Sequence, residues 1–228
     1  MKKIGILSDT HGLLRPEVVR ALQGCDAILH GGDINRQEIL DELAQIAPMY
    51  VVRGNNDKEW AEYLPLFLDF ELFGLHIFMT HKKKDLPKDL SPYDLIVYGH
   101  SHRYEQKREG RTCLLNPGSC GPRRFNQGIT LAVMEIDEPV FSGRNVQPDE
   151  GIRIRRIDIP HEKMPAVNRE KLQKPDIEKV IREVKKGRSV AEISLKLGMD
   201  PDLAEQVCRL YLTHPGVTAD GIMTKMGL

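Results

Sequence analysis

The sequence predicts an α/β domain in which two β-sheets pack face to face with helices outside them, followed by a small all-α segment. Three observations lead to this fold class. The N-terminal third repeats a pattern of strand, polar loop and helix, which is typical of parallel strands joined by crossovers. The middle of the chain is instead rich in short strands, and the last quarter carries apolar residues at helical spacing.

The predicted elements of the first two regions follow from short apolar runs that end in polar loops. In the N-terminal third, the predicted strands are Lys3–Leu7, Ala27–Leu29 and Met49–Val52. Helices are predicted at Pro16–Leu22 and around Ile39, Leu40 and Leu43. Alternating residues on either side of Gly74 predict a β-hairpin, with strands Phe67–Phe73 and His76–Thr80. The remaining predicted strands are Leu95–Tyr98, Thr112–Leu115, Ile129–Ile136 and Ile152–Ile159.

The C-terminal region reads as a separate helical domain. We predict a first domain over residues 1–160, a linker over 161–175, and a helical domain over 176–228. Apolar residues at i, i+3, i+4 and i+7 predict a first helix, and Asp200 with Pro201 predicts a helix start. The apolar positions of the first helix are Ile177, Val180, Ile181 and Val184; the later helices are Val190–Leu197, Pro201–Thr213 and Ala219–Met226.

Composition limits the functional classes. The chain of 228 residues has 33 basic and 33 acidic residues, so its net charge gives no general attraction to nucleic acid or membranes. The first apolar run is broken by Asp9, which is too early for a signal peptide, and no apolar stretch is long enough to span a bilayer. Four scattered cysteines suggest no disulfide framework. We therefore expect a reduced, cytoplasmic protein.

Polar residues fall just after the predicted strands. In an open parallel sheet the carboxyl ends of the strands form the edge at which ligand sites lie, so these residues are expected to converge. Their mixture of carboxylate, imidazole and carboxamide suits divalent ions such as Mn²⁺, Zn²⁺ or Fe²⁺ better than Mg²⁺ or Ca²⁺. The segments are Asp9-Thr10-His11, Asp33, Asn55, His81 and Gly99-His100-Ser101-His102.

The ordered motifs resemble those of the calcineurin-like metallophosphoesterase family. The short spacing and the loop Asn116-Pro117-Gly118-Ser119 resemble its small YfcE-like phosphodiesterase branch, over roughly residues 1–160. The resemblance implies a four-layer αββα sandwich of two mixed sheets and a site for two divalent metal ions. The motifs are Asp9-x-His11, Gly32-Asp33, Gly54-Asn55-Asn56-Asp57, His81 and Gly99-His100-x-His102.

The resemblance also implies roles for individual residues. Asp33 would bridge the two ions, and a hydroxide bridging them would attack a phosphate ester in line. Mn²⁺ is the expected metal, with Zn²⁺, Ni²⁺ or Fe²⁺ as alternatives. Asp33, Asn55 and Asn56 are the candidate catalytic residues, and Asn56, Asn116 and Ser119 the candidate substrate-binding residues. One ion would be held by Asp9, His11 and His102, and the other by Asn55, His81 and His100.

Two positions depart from the family pattern. Many relatives have a histidine at the position of Asn56, where it assists the leaving group. Asparagine cannot donate a proton there, so we expect a bias towards phosphodiesters or aryl esters, whose leaving groups need less protonation. In addition, His81 is followed by three lysines, Lys82 to Lys84, rather than by Gly-His. These lysines either add positive potential at the mouth of the site or form a solvated loop.

Other polar residues are weaker candidates. His30 is expected to support the site or the core rather than to bind metal, and Cys120 is not expected to act as a nucleophile because it lacks a dedicated histidine partner. Arg123 and Arg124 either meet a substrate phosphate or form a plain surface pair. Turn formation explains Asn116 and Ser119 as well as substrate contact does.

Three functional classes follow. The first is a phosphoesterase that acts on a phosphate-ester small molecule or a nucleotide. The second is a non-catalytic scaffold, like the family member found in a membrane-trafficking coat complex. The third is a regulator whose helix-turn-helix-like tail binds nucleic acid or a protein. Acidic residues on the third tail helix disfavour DNA, and a dimerisation or lid module is preferred; a homo-oligomer is compatible with the sequence.

Overall fold

The computed structural model describes residues 1–122, 127–138, 151–160, 172–188 and 190–228. The chain divides into two compact units, Met1–Pro160 and His161–Leu228. Each unit has its own apolar core and is described by itself. Across the described ranges, no helix is both long enough and apolar enough to cross a lipid bilayer. The cytoplasmic location stays a prediction.

The first unit consists mainly of short strands, with two helices near its N-terminus. The helices are α1 Pro16–Leu22 and α2 Gln37–Ala44, and short 3-10 turns lie at Glu59–Ala61 and Lys83–Asp85. The strands are β1 Lys2–Leu7, β2 Ala27–His30, β3 Met49–Val51, β4 Phe67–Leu72, β5 Leu75–Thr80, β6 Leu95–Val97, β7 Tyr104–Glu109, β8 Thr112–Pro117, β9 Thr130–Ile136 and β10 Ile152–Asp158.

The strands form two mixed five-stranded sheets, in the orders β10-β9-β1-β2-β3 and β4-β5-β6-β8-β7. Strands β1, β2 and β3 are parallel neighbours, as are β5, β6 and β8. A buried apolar layer that includes Ile6 and Leu29 from one sheet and Ile77 and Leu95 from the other joins the two sheets. Helices α1 and α2 pack on the outer face of the first sheet. This arrangement confirms the predicted fold class.

The hairpin predicted around Gly74 is confirmed. Strands β4 and β5 pair antiparallel up to Leu72 and Leu75, which leaves Phe73 and Gly74 as a two-residue turn. Both turn residues have positive φ, 50° and 75°, as the tight turns that match the twist of paired strands require. Strand β7 was not predicted from the sequence. It lies at a sheet edge and is mostly exposed, so it lacks the alternation that marks a half-buried strand.

The second unit packs its helices around one apolar cluster, which includes Ile177, Val207 and Ile222. Its described helices are α3 Lys174–Lys185, α4 Val190–Leu197, α5 Pro201–Thr213 and α6 Ala219–Met226. Helix α3 begins two residues before the predicted domain start, because Gln173 and Asp176 form a capping box around Pro175 in the first turn. Most of the predicted linker lies outside the described residues.

Candidate metal centre

Six of the seven predicted ligands lie in the loops that follow strand ends on adjoining edges of the two sheets. Asp9 and His11 follow β1, and Asp33 follows β2. On the second sheet, His81 follows β5, while His100 and His102 follow β6. Because these strands run parallel within each sheet, their carboxyl ends meet at one edge and bring the loops together.

The first group of possible ligands consists of Asp9, His11 and His102, which are all buried. Their ligand atoms lie within 4.8 Å of one another. The Oδ1 atom of Asp9 lies 3.1 Å from Nε2 of His102 and 3.6 Å from Nε2 of His11. The two imidazole rings are stacked with their centroids 4.9 Å apart. One carboxylate oxygen and two ring nitrogens thus surround a common point.

The second group consists of Asp33, His81 and His100, again with ligand atoms within 4.8 Å of one another. Asp33 and His81 are buried, whereas His100 is exposed. The Oδ2 atom of Asp33 lies 3.4 Å from Nε2 of His81 and 3.8 Å from Nε2 of His11. Asp33 therefore stands between the two groups, close to a histidine of each.

Asn55, the seventh predicted ligand, has an exposed side chain. It lines a cavity together with His81 and Gly54. Its position beside His81 is compatible with the second ligand group. Metal binding by Asn55 stays a prediction.

The backbone of the candidate ligands is unusual. Five of the seven non-glycine residues with positive φ in the described ranges belong to the two ligand groups. Their φ angles lie between 46° and 69°, in the left-handed region that residues with a Cβ atom rarely adopt. Such strain persists only where the surrounding structure enforces it, and it is common at functional sites. The five residues are Asp9, His11, Asp33, His100 and His102.

Several buried polar atoms at the site lack a hydrogen-bond partner, and two of them lie close to other members of the ligand groups, an arrangement that a cation would complete. These two are Oδ1 of Asp9 and Nε2 of His81. His81 donates a hydrogen bond from Nδ1 to the Gly31 carbonyl, at 2.7 Å. In neutral imidazole this leaves Nε2 unprotonated and directed at Asp33, as metal-binding histidines require. The residues present therefore fit a divalent metal ion.

The electrostatics of the site reflect the close packing of carboxylates and imidazoles. Burial alone would raise the pKa of Asp9, but the imidazoles of His102 and His11 hold it well below its usual value. The pKa of Asp33 is also lowered, because His81 outweighs the effect of burial. Burial opposes protonation of His81, yet Asp33 and Asp9 together raise its pKa to about 8.

His30 supports the loops rather than joining the ligand groups. It is fully buried, and burial lowers its pKa to about 4, so the ring is neutral at pH 7. Its Nδ1 accepts the backbone N–H of Gly32 at 3.1 Å, so Nε2 carries the proton and donates to the Thr10 hydroxyl, also at 3.1 Å. His30 thereby ties the loop after β1 to the loop after β2.

Asp57 is a structural residue of the site that the sequence analysis did not identify. Its carboxylate is 3% exposed and accepts four backbone N–H groups. Oδ1 accepts from Ile34 and Asn35 at 2.7 and 2.8 Å, and Oδ2 accepts from Asp33 and Gly54 at 2.9 and 2.8 Å. The loops after β2 and β3 are therefore held together by one buried charge. The only available signal was its place at the end of the Gly54-Asn55-Asn56-Asp57 motif.

Asn56 contacts the carboxylate of Asp33 at both oxygens. Its backbone N–H donates to Oδ1 at 2.7 Å, and its side-chain Nδ2 donates to Oδ2 at 2.7 Å. These bonds fix the orientation of the carboxylate that stands between the two ligand groups.

Asn116 and Ser119 are buried beside the site, with their polar atoms bonded to loop groups. Asn116 Nδ2 donates to the Gly99 carbonyl at 2.7 Å and to the Ser101 hydroxyl at 3.1 Å, and its Oδ1 accepts from Gly118 N–H. The Ser119 hydroxyl donates to the Asp9 carbonyl at 2.8 Å. Both side chains hold loops that carry candidate ligands, and substrate contact by either stays a prediction.

The remaining candidates differ in their surroundings. Burial raises the pKa of the Cys120 thiol to about 12, which agrees with the expectation that it is no nucleophile. Lys83 is held by Glu105 and lies over the Tyr98 ring, whereas Lys82 lines the cavity next to His81. Arg123 and Arg124 lie outside the described residues.

Comparison with known proteins identifies relatives of the first unit. Residues 1–139 match the family described as "Calcineurin-like phosphoesterase superfamily domain". The chain is 32% identical over 149 residues to a probable metallophosphoesterase of Methanothermobacter thermautotrophicus, which covers 59% of this chain and 86% of that protein. Every candidate ligand lies inside the matched range.

Solved structures with less than 25% identity show the same fold. An archaeal phosphodiesterase has a TM-score of 0.55 at 24% identity, over 68% of this chain and 99% of that one. YfcE, a phosphoesterase from E. coli, has a TM-score of 0.50 at 22% identity, over 69% and 100% of the two chains. Vps29 from Entamoeba histolytica, complexed with zinc, has a TM-score of 0.50 at 22% identity, over 69% and 99%.

Proposed function

The chain belongs to the calcineurin-like phosphoesterase superfamily, and on that premise we propose that it is a dinuclear metal-dependent phosphodiesterase. Membership confirms the resemblance seen in the sequence. The observation that carries the proposal is the pair of ligand groups that adjoin at Asp33. Asp33 would bridge the ions, with Asp9, His11 and His102 on one side and Asn55, His81 and His100 on the other.

The ions supply the chemistry that the side chains lack. When bound, two divalent ions would activate a water molecule and neutralise charge on the phosphoryl group. Histidine and carboxylate ligands favour Mn²⁺, with Zn²⁺, Ni²⁺ and Fe²⁺ as alternatives. Asn56 would keep both oxygens of Asp33 in a fixed orientation by the two hydrogen bonds that it donates. Asn56 is in this respect a positioning residue.

The leaving group determines the preferred ester. Asn56 stands where many relatives have a histidine, and its side chain donates to Asp33 and has no acidic proton. A leaving group that needs little protonation, such as an aryloxide, should depart most readily. We therefore propose activity on phosphodiesters and aryl esters in preference to alkyl monoesters.

The test compares p-nitrophenyl phosphate with bis(p-nitrophenyl) phosphate, each with and without added Mn²⁺. We expect metal-dependent hydrolysis that is faster with the diester. Asp33→Asn should lower the rate at least about a hundredfold, because a carboxylate of the metal site is lost. Asp41→Asn, an exposed carboxylate on α2, is the matched control and should retain activity. A wild-type protein that cleaves neither ester with any of the four metals would refute the proposal.

The scaffold and the nucleic-acid regulator find less support. A scaffold would not need the two adjoining groups of carboxylate and imidazole side chains that this chain retains. In the helical unit, the basic residues near the end of α3 are largely paired: Lys186 and Arg188 with Glu183, and Lys179 with Asp176. Glu183 also pairs with Lys196, and the contacts with Lys196 and Lys186 lower the pKa of Glu183 to about 2. These pairs neutralise part of the basic patch, and we retain dimerisation or a lid as the proposed role of the helical unit.

A further inference from the structure

We propose that the cavity beside His81 binds a flat aromatic group carried by the phosphate of the substrate. This inference rests on the proposed phosphoesterase function and specifies its substrate class. The cavity wall includes candidate metal ligands, exposed apolar side chains and cations. The residues that carry the argument are Arg53, Asn55, Leu66, Phe67, His81 and Lys82.

The cavity is continuous with the candidate metal centre. His81 and Asn55, both predicted ligands of the second ion, form part of its wall. Its volume of about 340 Å³ is near the lower end of small-molecule sites, which are roughly 300–1,000 Å³. A phosphate bound at the metal centre would therefore place one attached organic group in this cavity. The volume suits one or two rings.

Part of the cavity wall is apolar and exposed. Phe67, the first residue of the edge strand β4, is 59% exposed, and Leu66, the residue before it, is 69% exposed. One side of the Phe67 ring stacks on Phe78, with centroids 5.8 Å apart and planes 15° from parallel. The stacking holds the ring, and its exposed surface offers a platform to a second aromatic ring.

The charges at the cavity favour an anion. The Arg53 guanidinium donates to the carbonyls of Asp57 and Lys58, and it has no carboxylate partner among the residues whose structure is described. Lys82 likewise forms no ion pair within those ranges. Asp85 is the one carboxylate in the cavity wall, so the two cations exceed the acid by one. An anionic phosphate with an aromatic substituent matches both the charge and the apolar wall.

The inferred class is thus an aryl or nucleoside phosphate ester of low molecular weight. Stacking on Phe67 would recognise the ring without reading its hydrogen-bonding edge. Arg53 and Lys82 would attract the phosphate to the metal centre.

The test uses phenylphosphonate and methylphosphonate, which carry one organic group and no leaving group. Their binding to the Mn²⁺-loaded full chain is measured by calorimetry, and their inhibition of diester hydrolysis is measured in parallel. We expect phenylphosphonate to bind about tenfold more tightly than methylphosphonate, as one stacked ring would give. In Phe67→Ala this preference should fall below about threefold. Tyr63→Ala is the matched control, because Tyr63 is also exposed, at 62%, but does not line the cavity.

Other outcomes overturn the inference. Equal binding of the two phosphonates, or no binding of either, removes the aromatic site even if the diester is hydrolysed, in which case the proposed function stands. A preference that persists in Phe67→Ala places the ring elsewhere. Phe67→Leu, which keeps an apolar side chain, should lose the preference as well and guards against a folding defect. If sedimentation shows that Phe67→Ala dissociates a dimer and leaves the preference intact, the apolar wall serves self-association instead.

Discussion

Replacement of Asp57 by asparagine removes the charge that joins the loops after β2 and β3 while keeping the size of the side chain. Each carboxylate oxygen accepts two backbone N–H groups, and the two oxygens together hold Asp33, Ile34, Asn35 and Gly54. An asparagine side chain has one oxygen and one NH₂ group. Whichever way it is oriented, one pair of buried donors would face an NH₂ donor instead of an acceptor.

The expected loss follows from the two hydrogen bonds that the substitution removes. A hydrogen bond to a charged group contributes about 1.5–3 kcal/mol, so the free energy of unfolding should fall by about 3–6 kcal/mol. For a domain of this size, such a loss lowers Tm by at least about 6 °C. The affinity for divalent metal should fall too, because Asp33 lies in the loop that is released.

Urea unfolding, monitored by tryptophan fluorescence, measures the change in the unfolding free energy of the first unit, which contains Asp57. Trp60 is the single tryptophan of the chain, and its side chain packs against the core beneath α1 and α2. Asp41→Asn, at an exposed position on α2, should stay within about 0.5 kcal/mol of wild type. An unfolding free energy of Asp57→Asn within about 1 kcal/mol of wild type would contradict the role assigned to this carboxylate.

Three further predictions follow from the described contacts. Mn²⁺ at a hundredfold excess over its Kd should raise the unfolding free energy of the first unit by about 2.7 kcal/mol. The rise should be smaller in Asp33→Asn and unchanged in Asp69→Asn, a control at an exposed position. No rise in the wild-type protein would contradict metal binding. Glu183→Gln should speed hydrogen exchange of residues 174–226 at pH 7 relative to Glu178→Gln. The reason is that the pKa of Glu183 is lowered to about 2, so its carboxylate stabilises the fold fully above pH 4.5 and loses this effect only as the pH falls towards 2. The four cysteines are buried, and the pKa of Cys120 is raised to about 12. At pH 8 a thiol reagent should therefore modify less than about one equivalent of cysteine in the native protein and all four after unfolding. Rapid modification of Cys120 would contradict its burial.

Elements with a clear apolar period were predictable from the sequence. The parallel strands β1 and β2 are short apolar runs, and α3 has apolar residues on one face, so burial dictates both their type and their position. Strand β7 could not be predicted in this way, because it gains its conformation from pairing with β8 and buries little of its own surface. Tertiary pairing decides such an edge strand.

The six candidate ligands that converge were predictable because a metal site needs particular residue types at strand ends. The supporting residues were not. A carboxylate that accepts backbone N–H groups, as Asp57 does, has partners at no characteristic distance along the chain. It is therefore indistinguishable in sequence from a turn residue. The direction of the Asn116 side chain depends on the Gly99 carbonyl, which lies in the loop after β6. These contacts depend on loop geometry that only the assembled fold defines.

The backbone of the ligand loops gives the strongest physical reason to regard the site as functional. Five candidate ligands occupy left-handed φ, and each such residue costs roughly 1 kcal/mol or more, so the sum is roughly 5 kcal/mol or more. That amount is comparable with the lower end of the net stability of whole domains, about 5–15 kcal/mol. Glycine at these five positions would relieve the strain if only the fold mattered. Asp and His instead present carboxylate and imidazole groups to two adjoining points, the first of them surrounded by buried residues, which is what cation binding requires.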